Sequence, residues 1–110
     1  MKKLLTVAVL AFSMNVMSQE VYIPNAFTPN GDDHNDVWKP VFDDTLSISN
    51  YLLEVYTRNG QLVFETRDSL QYWDGTYWGS DVDGSTYVYR LVMKTDTEDI
   101  RREGFLEVLR

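Results

Sequence analysis

The stretch YLLEVYTRNGQLVFET, residues 51–66, decides the fold of this chain. Two runs of leucine, valine and aromatic residues flank Arg58-Asn59-Gly60. Asn-Gly between such runs is the strongest short-range hairpin signal, because both residues tolerate positive φ. A two-residue loop at Asn59-Gly60 pairs Arg58 with Gln61, Tyr56 with Val63 and Val55 with Phe64. That register places Leu53, Val55, Leu62 and Phe64 on one face, with Glu54, Tyr56, Val63 and Glu65 on the other. Both strands then offer one apolar face, as a half-buried sheet requires.

The same period of two continues outward. In STYVYRLVMK (85–94), Tyr87, Tyr89, Leu91 and Met93 point one way. Val88, Arg90, Val92 and Lys94 point the other. GFLEVLR (104–110) reads as a final strand whose two parities are both apolar. VYIP (21–24) starts the sheet, with Pro24 marking an edge or a strand end. VWKPVF (37–42) is a strand broken by Pro40. No window sustains a helical stripe, and there is no internal repeat. Short strands separated by turn clusters predict an all-β, immunoglobulin-like antiparallel β-sandwich of about seven strands, with a small closed barrel as the alternative.

The 110 residues suffice for one domain. Met1-Lys2-Lys3 followed by LLTVAVLAFSMNVM has the basic head and short apolar run of a secretory leader. The run is too short to span a bilayer comfortably. Cleavage is expected after Ser18, giving a signal helix over 1–18 and a single domain over 19–110. The mature part then holds eight basic and 17 acidic residues, a net charge of −9. Such a surface repels nucleic acid and anionic lipid. No later segment is apolar enough for an integral membrane anchor. There is no cysteine, so neither lipid attachment to cysteine nor disulfides are open to it. The sequence has three Trp, seven Tyr and five Phe, all but Phe12 beyond the expected leader, and these aromatics can supply a core without disulfides.

Catalysis is not expected. His34 is the only histidine, so thiol–imidazole pairs and multi-histidine zinc sites are excluded. Paired carboxylates are abundant, and with 17 acids some pairing is inevitable. The loop IPNAFTPNGDDHND (23–36) carries Asn30, Asp32, Asp33, Asn35 and Asp36 around Gly31. Alternating oxygen ligands with a glycine bend suit a hard cation such as Ca2+, with Asn30, Asp32 and Asp36 as the metal candidates. No glutamate closes the loop at the twelfth position, and Asx turns use the same residues to bond their own backbone. No cofactor is expected beyond that candidate ion. In WDGTYWGSDVDGSTY (73–87), Trp73 reads as a cover for the core end and Asp74-Gly75 as a turn. Trp78, in a loop between Tyr77 and Gly79, is the candidate ligand-binding platform for sugar rings.

In order, IPNAFTPNGD…ND, Arg58…Gly60-Gln61-Leu62-Val63-Phe64, WDGTY, TYVY and LEVLR resemble the gliding motility-associated C-terminal domain. That family is the type B sorting domain of the type IX secretion system, and the resemblance covers about Val21 to Arg110. It implies a non-catalytic exported domain that directs secretion or cell-surface display. The implied partner is the outer-membrane type IX machinery, reached through the periplasm. By analogy Pro24, Asn25, Phe27, Pro29, Asn30, Gly31, Asp32, Asn35 and Asp36 build the first motif loop. Arg58 and Gly60 mark the hairpin, and Trp73, Asp74, Gly75 and Tyr77 mark the second loop. Tyr87 and Tyr89 mark the penultimate strand, and Leu109 and Arg110 close the motif. The sequence departs from the family at Asp33, where glycine is usual, at Asn59, where tryptophan is usual, and at Ser85, where glycine commonly precedes Thr-Tyr. The family's domain normally closes a longer secreted protein; here the expected leader precedes it directly. A second reading is a surface adhesive or carbohydrate-binding module that takes surface polysaccharide on Trp78.

Overall fold

The computed structural model describes residues 21–43 and 45–110, so the expected leader and its cleavage point lie outside the described residues. Nine strands and no helix occur among them. They are β1 (Val21–Tyr22), β2 (Ala26–Phe27), β3 (Val41–Phe42), β4 (Ile48–Thr57), β5 (Leu62–Thr66), β6 (Thr76–Tyr77), β7 (Ser80–Asp81), β8 (Ser85–Thr95) and β9 (Asp99–Val108). A five-stranded sheet runs in the order β2-β9-β8-β4-β5. Its long strands β4, β8 and β9 carry the period-two pattern. Tyr51, Leu53, Val55, Tyr87, Leu91, Met93, Ile100, Leu106 and Val108 are buried on one face. The doubtful parity of the last strand resolves in favour of Leu106 and Val108, leaving Phe105 68% exposed.

A second layer covers that face. It consists of the β1–β3 pair and an isolated antiparallel bridge between Trp38 and Trp73. The bridge exchanges two backbone bonds, each of 2.8 Å. Both indoles are 1% exposed. Each buries about 150–250 Å², a transfer contribution of roughly 4–6 kcal/mol before ordering costs. Their N–H groups are satisfied, Trp38 Nε1 donating to the Pro24 carbonyl at 2.7 Å and Trp73 Nε1 to the Thr76 carbonyl at 2.9 Å. Phe42 packs on Tyr51, and Trp38 on Tyr89, joining the layers.

Two expectations need correction. The β4–β5 loop has three residues, not two: Thr57 bonds to Gln61 across it, Gly60 donates back to the Thr57 carbonyl, and only Gly60, at φ +96°, is left-handed. The register then shifts at Val55/Tyr56, so that Val55 still faces Phe64 but Tyr56 faces Leu62. Val63 is the extra residue of the bulge. A bulge resets the parity of its strand, which turns Val63 inward at 7% exposure and Leu62 outward at 36%. Secondly, the pairing is not wholly antiparallel. β2 runs parallel to β9, with Ala26 opposite Glu107 and Phe27 opposite Val108.

Candidate functional site

The parallel β2–β9 pair brings the start of the domain beside its end. Glu107 N donates to the Asn25 carbonyl at 2.8 Å and Leu109 N to that of Phe27 at 3.0 Å. Phe27 is 3% exposed. Its ring lies 5.6 Å from that of Trp73, which in turn meets Tyr87 edge-on at 5.6 Å. These contacts fix where the first motif loop leaves the sheet.

That loop is stitched by its own side chains. Asp36 Oδ1 accepts from Asn30 N and Gly31 N, both at 3.1 Å, and Oδ2 accepts from Asp33 N at 2.7 Å. Asn30 Oδ1 accepts from Asp32 N, and Asp32 Oδ1 from His34 N. Thr28 N closes the base on the Asn35 carbonyl at 2.8 Å. Gly31, Asp33 and Asn35 all have positive φ. Asp and Asn are the non-glycine residues that tolerate it best, so Asp33 can hold a left-handed position without being glycine. Desolvation is the largest single effect and acts to raise the Asp36 pKa, but the bonds from Asp33, Asn30, Gly31 and Asp32 together outweigh it and hold the carboxyl below its usual value. Asn30 Oδ1, one oxygen of Asp32 and both oxygens of Asp36 are thus engaged by backbone donors. No group of three or more His, Cys, Asp or Glu among the described residues is arranged to hold a metal ion.

The second motif loop starts at the buried Trp73. Asp74 Oδ1 accepts from Thr76 N at 3.1 Å and from Thr76 Oγ1 at 2.6 Å. Gly75 takes φ +82° between them. A Cβ there would lie 3.0 Å from Pro29 Cγ and 3.0 Å from an Arg110 nitrogen, so the two loops meet at this glycine.

Arg110 joins all three segments. Its Nε donates to the Val82 carbonyl at 2.7 Å, one terminal nitrogen to that of Pro29 at 3.1 Å and the other to that of Gly75 at 2.8 Å. A planar guanidinium can hold three carbonyls in fixed directions, which an ammonium cannot. Asp81 lies 3.7 Å away but is 75% exposed, so that ion pair is worth little. Tyr87 Oη donates to the Asp83 carbonyl at 2.8 Å beside this clamp. Burial first, then the Asp83 charge, raises the Tyr87 pKa against an opposing effect of Arg110.

Phe27, Pro29, Trp73, Asp74, Gly75, Tyr87, Leu109 and Arg110 therefore form one corner, with Pro24 and Asn25 at its base. Gly31, Asn30, Asp32, Asn35 and Asp36 form the loop above it. Arg58 and Gly60 stand apart at the β4–β5 turn; a groove lined by Arg58, Asn59, Asp83 and Tyr87 separates them from the corner. Tyr89 lies further along the sheet opposite Gly104. Tyr77 and Trp78 occupy the β6–β7 hairpin, whose tip projects from the body; Trp78 is 87% exposed. Sequence reasoning missed Trp38 and Val82. Trp38 and Pro40 are both buried, an alternation that could have marked the segment as a covering strand. Val82 contributes only a carbonyl, which no side-chain pattern signals.

The family model of the CHU_C Type IX secretion signal domain matches residues 21–108. No curated protein and no solved structure matches the chain.

Proposed function

The chain belongs to the type IX secretion signal domain family, and from that premise we propose that residues 19–110 serve as a folded, non-catalytic address. On this reading a leader takes the chain across the inner membrane. The outer-membrane type IX machinery then recognises the folded domain and delivers it to the exterior or the cell surface. The two-layer body supports an immunoglobulin-like sandwich as the finer description of the fold. The observation that carries the functional reading is the Arg110 clamp. Motif residues more than 30 positions apart in sequence converge on one guanidinium. The address is then a three-dimensional corner built on Pro29, Gly75 and Arg110. Its rigid turn edges, around Asn30 to Asp33, are exposed and free to meet a receptor.

The test is a fusion of residues 19–110 behind a leader and a reporter, in a cell that has the type IX translocon. The reporter should become accessible to protease added to intact cells. Retention of a folded wild-type fusion in the periplasm would refute the proposal. An Arg110→Ala fusion should be exported less efficiently than the wild type.

A further inference from the structure

We propose that the tip of the β6–β7 hairpin, with the groove beside it, binds a neutral β-linked hexose chain, and that Trp78 is its stacking face. Trp78 stands outside the sorting corner, while the groove adjoins that corner and shares Val82 and Tyr87 with it. The two central residues of the hairpin turn, Trp78 and Gly79, have φ of +57° and +80°. Turns of that kind favour Asn-Gly, and a bulky residue in a left-handed conformation is strained. Burial does not compensate, because the side chain is 87% exposed. Its indole N–H has no hydrogen-bond partner among the described residues. An aromatic side chain held in an unfavourable backbone state and presented to solvent is the kind of outlier that marks a functional site.

The surroundings select the ligand. The Tyr77 ring stands at 85° to the indole with centroids 6.1 Å apart, so the two rings form an angled aromatic surface. Beside the hairpin lies a groove of about 270 Å³ whose walls include Tyr77, Gln61, Ser80, Asp81 and Asp83. Hydroxyl, amide and carboxylate groups can donate to and accept from a polyol. The axial C–H groups of a β-linked glucose ring present a weakly positive, apolar face that suits the negative face of an indole. Asp83, with Asp81 only partly offset by Arg110 at 3.7 Å, disfavours an acidic chain by like-charge repulsion.

The experiment titrates the purified full chain with a neutral β-1,4-linked glucose hexamer, following tryptophan emission and heat of binding. Since Trp38 and Trp73 are each 1% exposed, a saturable change reports on Trp78. Trp78→Asn places a residue suited to the left-handed turn, so its thermal midpoint should stay level or rise while affinity falls about tenfold or more. A galacturonate hexamer of the same length should bind more weakly than the neutral one. The proposal is overturned by any of three results. One is no saturable response up to about 10 mM hexamer, a bound on any useful affinity. The second is equal affinity in a folded Trp78→Asn variant. The third is equal or tighter binding of the acidic hexamer.

Discussion

Replacing Arg110 by alanine tests the clamp directly. The guanidinium makes bonds of 2.7, 2.8 and 3.1 Å to three backbone carbonyls. A bond from a charged donor contributes about 1.5–3 kcal/mol when shielded. The Arg110 side chain is 24% exposed, so about 1 kcal/mol for each bond is the appropriate scale. Releasing the side chain returns about 1–2 kcal/mol of rotamer entropy. The expected net loss is therefore about 1.5 kcal/mol, which for a domain of this size lowers Tm by roughly 6–12 °C. Arg110→Lys, with one point charge in place of a fork, should recover only part of it. Thermal melts followed by circular dichroism at low and high salt provide the assay. The difference should persist in high salt, because the acceptors are neutral. A Tm within about 2 °C of wild type, or a loss that vanishes with salt, would refute the reasoning. The second outcome would place the stabilisation in the exposed Asp81 pair instead.

Gly75→Ala should cost about 2–3 kcal/mol, since left-handed φ and contact with Pro29 and Arg110 act together. Gly60→Ala, with φ +96° but open space around it, should cost only about 1–2 kcal/mol; equal losses in chemical denaturation would contradict the contact argument. Tyr51 Oη is buried without a hydrogen-bond partner among the described residues, so Tyr51→Phe should leave stability at pH 7 unchanged or raise it by about 1 kcal/mol. Burial, then the Asp68 charge, raises the Tyr51 pKa. The neutral phenol is therefore favoured in the folded state, and its contribution is lost as pH climbs above about 10. Urea midpoints on the alkaline side should fall less steeply in Tyr51→Phe; an unchanged slope counts against that burial. Asp36 has a lowered pKa, so its contribution is present above the usual carboxylate value of about 4 and is lost as acid protonates it. Asp36→Asn should flatten the acid limb of the stability profile, and a limb as steep as wild type would show that the loop bonds do not stabilise the fold.

Much of the sheet is legible in local sequence. Tyr87, Leu91 and Met93 alternate with polar or half-exposed residues, and Asn59-Gly60 announces a hairpin whose Val55–Phe64 pair is present in the structure. The hairpin's fine register is not legible there. Val63 and Leu62 are equally apolar, and only the sheet decides which residue a bulge turns inward. The parallel seat of Ala26–Phe27 beside Glu107–Val108 is equally hidden, because it joins positions about 80 residues apart through packing and not through any repeat. At the corner, Gly75 and the Asx-rich loop are visible as turn chemistry, and Trp73 as a core residue. The function of Arg110 as a tie between loops has no sequence signature. Its partners are carbonyls, which every residue possesses. Asp36 shows a different case: the same acid side chain suits a cation or an Asx turn in sequence, and only the fold shows its oxygens accepting from the amides of Asn30, Gly31 and Asp33.

The adjacency of residues 26 and 107 also sets a schedule for biosynthesis. Ala26 and Phe27 leave the ribosome about 80 residues ahead of their mates, Glu107 and Val108. Loop closure over such a span lags behind local pairing in the central ribbon. A nascent polypeptide that has not yet reached residues 107 to 110 thus carries every early element of the corner without its geometry.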